Sequence, residues 1–263
     1  AAAQFGIFFT IVVAIFFGFD IREAASIGII GAADGPTAIF VSNQLAPNLL
    51  GPITVAAYSY MALVPIIQPI AIKAVTTKAE RRIRMTYKAE GVSKMTKILF
   101  PIIITIVSGF IAPISLPLVG FLMFGNLLRE CGVLDRLSLT AQNELFNIIS
   151  ILLGLTISVK MQADLFLNFQ TLMIIAFGLV AFIMDTVGGV LFANFLNLFR
   201  TEKINPMIGC AGISAFPMSS RVIQKMATDE DPQNFILMYA VGANVSGQIA
   251  SVIAGGLVLA FFS

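Results

Sequence analysis

One motif occurs twice in this chain, each time inside a strongly apolar stretch. Its glycines and proline follow the spacing G-x-x-G-x-x-x-x-P, in residues 28–36 and again in residues 209–217. An ordinary helix cannot run through such a segment, because glycine adds backbone freedom and proline removes a hydrogen-bond donor. A tyrosine follows each proline at the same distance, Tyr58 and Tyr239. The repeated motif therefore predicts two related halves, each with an interrupted helix.

The surroundings of the two motifs indicate a membrane. Hydrophobic residues make up 58% of the chain and charged residues 11%, whereas soluble domains carry about 25% charged residues. Apolar runs at 4–19, 25–42, 50–72, 171–199 and 234–262 approach or exceed the length of a bilayer span, which is about 20 residues. In hydrocarbon, interrupted backbone survives only where protein or a watery cavity satisfies it. We therefore predict an all-α polytopic membrane protein, an inverted-repeat bundle whose two discontinuous helices meet near the midplane.

The middle of the chain gives weaker signals. Residues 98–125 are apolar but contain three prolines, so we expect kinks or a second discontinuity there. Residues 126–142 mix charges with leucines, which is typical of an interfacial or partly buried connection, and residues 145–159 are predicted to form a short span. The predicted division is the end of a first half-repeat in residues 1–72, a loop in residues 73–97 and a second half-repeat in residues 98–263.

That loop is strongly basic. It holds eight of the sixteen Lys and Arg residues: Lys73, Lys78, Arg81, Arg82, Arg84, Lys88, Lys94 and Lys97. The positive-inside rule places such a loop in the cytoplasm. Two interpretations stay open for it, contact with anionic lipid headgroups and docking of a soluble partner. Nothing in the chain indicates binding of nucleic acid.

Asp34 lies in the first motif, with no other charge within ten residues on either side. A carboxylate inside a membrane is costly and needs a partner, for which a bound Na⁺ or a proton is the simplest candidate. A structural ion pair or a permanently protonated acid is the alternative. Asn205, Ser214 and Asn244 are neutral oxygen donors near the second motif, and they suit a hard monovalent cation together with unwound carbonyls. Taken singly, each also fits a helix cap or an interhelical hydrogen bond.

A few further polar residues lie within or beside the apolar segments. Arg221 follows the second motif and could grip a carboxylate, or it could extend to the interface. Tyr60 could donate a proton in a chain that has no histidine, or it could anchor the interface as Tyr58 could. Asp185 is a second intramembrane acid whose role the spacing does not assign. The two cysteines have no spacing typical of a metal or redox pair.

Several longer motifs, taken together, are similar to a known family. They are residues 28–37, 57–69, 124–133, 203–209, 213–222 and 230–235. In this order they resemble the β subunit of the biotin-dependent, sodium-translocating decarboxylases, which act on oxaloacetate, methylmalonyl-CoA, glutaconyl-CoA or malonate. The resemblance covers essentially the whole chain. Family β subunits are longer at the N-terminus, so we expect this chain to correspond to their C-terminal three-fifths.

The resemblance implies a pump in a bacterial inner membrane. A soluble, biotin-carrying α subunit with carboxyltransferase activity would form carboxybiotin, and a small γ or δ subunit would complete a complex that could be an oligomer. The β subunit would decarboxylate carboxybiotin while Na⁺ leaves the cell. The resemblance makes Asp34 the sodium-binding acid, and it assigns ion ligation or its coupling to Asn205, Ser214 and Asn244. It assigns coupling or the handling of carboxybiotin to three more positions: Tyr60, Gly209 and Arg221.

Two other functions stay open from the residues alone. A secondary Na⁺ symporter for an organic anion would share the interrupted helices and the arginine but would need no biotin carrier. A passive membrane anchor would explain the hydrophobicity but not the buried Asp34. This chain lacks the Met-Lys-Met signal for covalent biotin, so biotin would come from a partner.

Overall fold

The computed structural model of the chain describes residues 2–86, 91–160 and 168–262. All regular structure within these ranges is helical, which confirms the predicted all-α class for this part of the chain. The α-helices are α1 Phe5–Phe16, α2 Ile21–Gly28, α3 Gly35–Leu45, α4 Leu50–Val75, α5 Lys78–Arg81, α6 Lys94–Ile111, α7 Leu116–Glu130, α8 Asp135–Thr140, α9 Phe146–Lys160, α10 Phe169–Asn197, α11 Met207–Cys210, α12 Met218–Glu230 and α13 Leu237–Phe262. Single 3₁₀ turns occupy Ala2–Gln4, Ile29–Ala32, Pro47–Leu49 and Pro113–Ser115, and a π-helical turn, Ala141–Leu145, joins α8 to α9.

Several of these helices are long enough to cross a bilayer. Among the described residues, five segments combine the necessary length and apolar composition: Pro47–Val75, Lys94–Ile111, Asp135–Val159, Phe169–Asn197 and Leu237–Phe262. Ala2–Phe16 is a shorter apolar helical segment. These lengths match the roughly 30 Å hydrocarbon core at about 1.5 Å per residue. The chain is therefore a multi-pass membrane protein, as its composition predicts.

Polar side chains define where many helices begin. Asp20 caps α2, Ser93 caps α6 and Asn168 caps α10, each by accepting a backbone N–H of the first turn. Thr77 and Glu80 form a reciprocal capping box at α5. Such caps satisfy N–H groups that have no partner inside the helix. The N-terminal ends of these four helices are thus stabilised by local contacts.

Helices α4 and α10 form the centre of the bundle and pack against each other. One apolar cluster surrounds their first contact, with Ile53 of α4 and Ile174 of α10 packed among residues of α1, α2 and α3. A second cluster joins Val64 of α4 and Phe182 of α10 to α11 and α12. Both interrupted segments therefore lie against the same two central helices.

The apolar segment after the basic loop contains a discontinuity, which is one of the two outcomes that its prolines predicted. The helices α6 and α7 pack against each other and are separated by the turn at Ala112–Ser115. Within the predicted connection at 126–142, α7 continues to Glu130 and helical structure resumes at Asp135, so the non-helical part is confined to residues 131–134. The span predicted at 145–159 accordingly extends over Asp135–Val159. Charged residues at the start of that helix concealed it in the sequence.

Candidate functional site

Asp34 lies where the first motif interrupts the helical backbone. Helix α2 ends at Gly28, and after the turn Ile29–Ala32 the backbone of Ala33 is left-handed, with φ 51° and ψ 43°. Asp34 is then extended and caps α3, its Oδ1 accepting the backbone N–H of Thr37 at 3.2 Å. The carboxylate is buried, with 8% of the residue exposed. The positive end of the α3 dipole and this N–H both favour negative charge at Asp34.

The second motif also contains a non-helical segment, and this segment contacts the first one. Helix α11 ends at Cys210, α12 starts at Met218, and the residues between them are irregular. There the backbone N–H of Ser214 donates to the carbonyl of Ala32 at 3.0 Å, and the Ser214 hydroxyl donates to Asp34 Oδ2 at 3.2 Å. Residues that are 180 positions apart in sequence are thus joined directly.

Asn244 holds the second interruption in place. Its Nδ2 donates to the carbonyls of Ala211 at 3.0 Å and Ile213 at 2.7 Å, and its side chain is fully buried. Its Oδ1 is buried and has no hydrogen-bond partner within the described ranges. An orphaned buried oxygen needs an explanation, and a bound cation or water supplies one. Asn244 therefore binds the backbone next to Ser214 and retains a buried oxygen that has no partner among the described residues, although it does not line the cavity beside Asp34.

A cavity of about 280 Å³ opens beside Asp34. Its polar lining comes from Asp34, Thr37, Ser214 and Gln248, and the rest is mainly apolar, including Phe216. Carboxylate, hydroxyl and amide oxygens are the groups that hard cations prefer. The cavity thus has the oxygen groups that a hard cation prefers, and Asp34 is the acid among the described residues that line it.

Asn205 is placed differently from the other predicted ion ligands. Its Nδ2 donates to the carbonyls of Arg81 and Ile83 at 2.9 and 3.0 Å, and its Oδ1 accepts the N–H of Met207 at 3.1 Å. The amide nitrogen and the oxygen of the side chain are both used in these bonds. The structure brings together Asp34, Ser214 and the backbone beside Asn244, but it engages Asn205 elsewhere.

The residues predicted to couple the reaction or handle substrate are also dispersed. Tyr60 is buried and its hydroxyl donates to the carbonyl of Ile175 in α10. Gly209 packs on Gly189 so closely that a Cβ atom would overlap the facing carbonyl. Arg221 is exposed on α12, one turn after the second interruption. None of these three lines the cavity beside Asp34.

Two site residues were missed in the sequence. Gln248 follows Asn244 by four positions in α13, which places both amides on one face of that helix. Gln68 is fully buried in α4, where its Nε2 donates to the carbonyl of Cys210 and to Ser219 Oγ at 3.1 and 2.7 Å. A lone amide inside a predicted span is the signal that identifies both.

Asp185, left unassigned from the sequence, joins α10 to α1. It is fully buried, and its Oδ1 accepts the backbone N–H of Gly6 in the first turn of α1. The other oxygen, Oδ2, has no hydrogen-bond partner within the described ranges and lies beside Gly31, where an added Cβ would stand 2.7 Å from it. The second intramembrane acid thus caps a neighbouring helix next to the first interruption.

Comparison with known proteins identifies the family. Residues 1–262 match the model described as "Na+-transporting oxaloacetate decarboxylase beta subunit". The chain is 55% identical to the methylmalonyl-CoA decarboxylase subunit beta of Propionigenium modestum, across 100% of this chain and 66% of that protein. It is 53% identical to the oxaloacetate decarboxylase beta chain of Klebsiella pneumoniae, across 99% of this chain and 61% of that one. It is 49% identical to the glutaconyl-CoA decarboxylase subunit beta of Acidaminococcus fermentans, across 99% of this chain and 69% of that protein.

The chain therefore spans about three-fifths to two-thirds of the length of these relatives. The family match nevertheless covers almost every residue of the chain, and it agrees with the resemblance inferred from the motifs. The chain belongs to the family of Na⁺-transporting oxaloacetate decarboxylase β subunits.

Proposed function

We propose that this chain is part of the membrane subunit of a biotin-dependent sodium pump, which decarboxylates carboxybiotin and couples that reaction to Na⁺ export. The observation that carries the proposal is the hydrogen bond from Ser214 to Asp34, which joins the two interruptions at a buried acid. A passive anchor has no use for such an acid, since it is costly to bury. The relatives are named as subunits of decarboxylases, which favours this function over symport.

The two interruptions are the discontinuous helices of an inverted repeat in this proposal. Helices α2 and α3 flank the first, and α11 and α12 flank the second. The half-repeats are those expected from the sequence, residues 1–72 and 98–263, and the basic residues between them face the cytoplasm of a bacterial cell. Paired interruptions of this kind bind the ion at the midplane in alternating-access carriers.

Na⁺ is the cargo and binds beside Asp34. In this proposal the Asp34 carboxylate supplies the charge, Ser214 supplies a hydroxyl oxygen, Gln248 contributes from the cavity lining, and the unpartnered Oδ1 of Asn244 would turn toward the ion. The α3 N-terminus stabilises the carboxylate when Na⁺ leaves. This set keeps Asp34, Ser214 and Asn244 as ion-site residues.

Carboxybiotin is presented by a soluble partner, and its decarboxylation consumes a proton. Arg221 is the exposed cation that would pair with its carboxylate. Tyr60 donates to Ile175 in this conformation, so proton delivery by Tyr60 requires that bond to open. Gly209 allows α11 to approach α10. Coupling requires carboxybiotin and Na⁺ to favour different conformations of these elements.

The partners follow from the same cycle. The biotin-carrying α subunit with its carboxyltransferase activity supplies carboxybiotin, a small γ or δ subunit completes the membrane complex, and the assembly is an oligomer in this proposal. The printed names of the relatives, as beta subunits, support the existence of other subunits.

Radioactive Na⁺ uptake into sealed liposomes tests the proposal. The purified full-length complex is reconstituted, decarboxylase substrates are added, and uptake is followed with and without avidin, which sequesters biotin. Uptake that is driven by substrate and blocked by avidin supports the pump. Uptake that ignores avidin and follows an organic-anion gradient would instead make the protein a symporter.

A further inference from the structure

A short irregular segment fastens the end of the first half-repeat to the second interruption. Residues 81–86, here called the strap, comprise the last residue of α5 and the irregular residues that follow it. They lie against the segment before α11 and the segment between α12 and α13. The strap follows α4 and α5 in the chain but forms its polar contacts mainly with residues more than 120 positions later. It therefore links two distant parts of the sequence.

Two buried asparagines bind the same two strap carbonyls. Asn205 Nδ2 donates to the carbonyls of Arg81 at 2.9 Å and Ile83 at 3.0 Å. Asn234 Nδ2 donates to the same oxygens at 3.4 and 3.2 Å. The two asparagines are 0% and 1% exposed. Each backbone carbonyl has two lone pairs and can accept both amides, so the arrangement is a double clamp.

Further contacts extend the clamp along the strap. The backbone N–H of Asn205 donates to Met85 Sδ at 3.3 Å, and the Tyr239 hydroxyl donates to the carbonyl of Thr86 at 2.9 Å. Met85 also packs on the apolar cluster formed by α4, α10, α11 and α12. The strap is thus attached at its backbone and through one apolar side chain.

Two arginines of the strap bind the acidic end of α12. Arg81, of which 9% is exposed, contacts Glu230 Oε1 at 2.8 Å through both Nε and Nη2. Arg84 forms two parallel bonds to Asp231, at 2.6 and 2.9 Å. Bidentate arginine–carboxylate pairs fix orientation as well as distance. The C-terminal end of α12 is therefore attached to the strap by both arginines.

The chemistry of Asn205 suits this clamp better than an ion shell. A cation requires oxygen from an asparagine, but Asn205 Oδ1 already accepts the N–H of Met207, which opens α11. The strap requires the amide nitrogen. Asn205 thereby connects three elements, namely the strap, α11 and the interruption that α11 leads into.

We infer that Asn205 and Asn234 act together as positioning residues, which set the second interruption through the strap without binding Na⁺. This inference rests on the proposed function for its consequence, because coupling there requires the second interruption to change conformation, and the strap holds the α11 side of it. Ser214 itself is held by the carbonyl of Ala32 and, through its neighbour Ile213, by Asn244, so the ion site does not depend on the strap. Loss of either amide leaves buried carbonyls short of a donor. The expected result is slower coupled turnover at an unchanged affinity for Na⁺.

The kinetic test uses Asn205→Asp, Asn205→Ala and Asn234→Asp in the full-length complex, compared at equal amounts of assembled protein. Aspartate keeps an oxygen but loses the amide donor, so it separates the two roles. We expect Asn205→Asp and Asn234→Asp each to lower the maximal decarboxylation rate about tenfold, with the half-saturating Na⁺ concentration changed less than about twofold. Gln233→Ala is the matched control, because Gln233 is the exposed neighbour of Asn234. A normal rate in either aspartate variant, or a raised half-saturating Na⁺ concentration in Asn205→Ala, would overturn the inference.

A second measurement reports the accessibility of the strap and needs no assay of transport. Met85→Cys is labelled with a maleimide in membranes, in a background without reactive native cysteines. We expect Asn205→Ala and Asn234→Ala each to raise the labelling rate about tenfold, since each removes one of the two amide donors that hold the strap carbonyls. Equal rates in the parent and both variants would contradict the clamp. This measurement stands even if the parent complex shows no Na⁺-dependent decarboxylation, which would count against the proposed function alone.

Discussion

Asp34 has two roles that sequence reasoning treats separately. As the N-cap of α3 it is a structural residue, and as the acid that meets Ser214 it is the centre of the proposed ion site. The two roles are compatible because each carboxylate oxygen takes one of them, with Oδ1 on Thr37 and Oδ2 on Ser214. A side chain held at both oxygens is positioned for an ion without needing to reorganise.

Asp185 provides a residue-scale prediction. The Asp185→Asn variant would keep an Oδ1 acceptor for the N–H of Gly6, whereas Asp185→Ala would leave that buried N–H unpaired. We therefore expect Asp185→Ala to lower the free energy of unfolding by about 1–3 kcal/mol and Asp185→Asn to cost clearly less. Thermal unfolding of the purified complex in detergent measures both. Equal losses in the two variants would show that the charge of Asp185 matters more than its role as an acceptor.

At the scale of elements, the interruptions depend on close backbone contacts at glycine. Gly247 of α13 faces Gly212 of the second interruption, and a Cβ on Gly247 would overlap the carbonyl of Gly212. Backbone cannot yield as a flexible side chain can. The position of α13 against the interruption therefore depends on residue 247 being glycine. The hydrogen bonds of Asn244 to the interruption depend on that position in turn.

Gly247→Ala and Gly242→Ala form a matched pair on α13. A Cβ at Gly242 would meet no atom within 4 Å. We expect Gly247→Ala to destabilise the protein by about 1–3 kcal/mol through overpacking. We expect Gly242→Ala to be neutral or to stabilise by up to about 1 kcal/mol through higher helix propensity. Unfolding temperatures measured side by side test both values, and similar losses in the two variants would refute the packing argument.

The sequence predicted these elements to the extent that local chemistry fixes them. The G-x-x-G-x-x-x-x-P motifs marked residues where helices end, because glycine and proline act within a few positions. The helix Asp135–Val159 was missed in part, since its charged first turn resembles a connection while its apolar remainder lies exposed on the bundle. The continuous helical path through the π turn Ala141–Leu145 is visible in the three-dimensional structure but not in the sequence pattern.

At the scale of the whole molecule, two ion pairs join the arginines of the strap to the C-terminal end of α12. The hydrogen bond from Arg81 lowers the pKa of Glu230 below its usual 4.5, and the bond from Arg84 lowers the pKa of Asp231 below its usual 3.8. A carboxyl whose pKa is lowered by folding stabilises the fold above its unfolded pKa and loses that contribution as pH falls through the folded value. These ion pairs therefore contribute fully at neutral pH.

The lowered pKa values of Glu230 and Asp231 determine how stability depends on pH. Between about pH 9 and about pH 5 these two carboxyls should leave the unfolding temperature unchanged, because they stay ionised in both states. Below about pH 4 the unfolding temperature should fall, and the fall should be smaller in a Glu230→Gln, Asp231→Asn double variant. A scan of the parent and the double variant across this range measures it. Identical slopes in the acidic part of the scan would show that the strap pairs contribute nothing.

The candidate site was predictable in part, for reasons that operate at this scale. Asp34 was identifiable as a lone acid in an apolar stretch, and Ser214 by its place in the repeated motif. Asn205 has the same residue type and a similar location to Asn244, yet one binds strap carbonyls and the other binds the second interruption. Residue type gives the donor and acceptor groups. Which partner they meet depends on how distant segments pack.

The most direct test of the account is Na⁺ transport by Asp34→Asn and Ser214→Ala in the reconstituted full-length complex. Substrate-driven uptake of radioactive Na⁺ would be measured at several Na⁺ concentrations, with Gly242→Ala as the control. We predict that Asp34→Asn abolishes uptake while the protein stays in the membrane. Ser214→Ala should retain uptake with a raised half-saturating Na⁺ concentration, because it removes one neutral oxygen and a hydrogen bond to the acid. Normal sodium pumping by Asp34→Asn would contradict the assignment of the ion site.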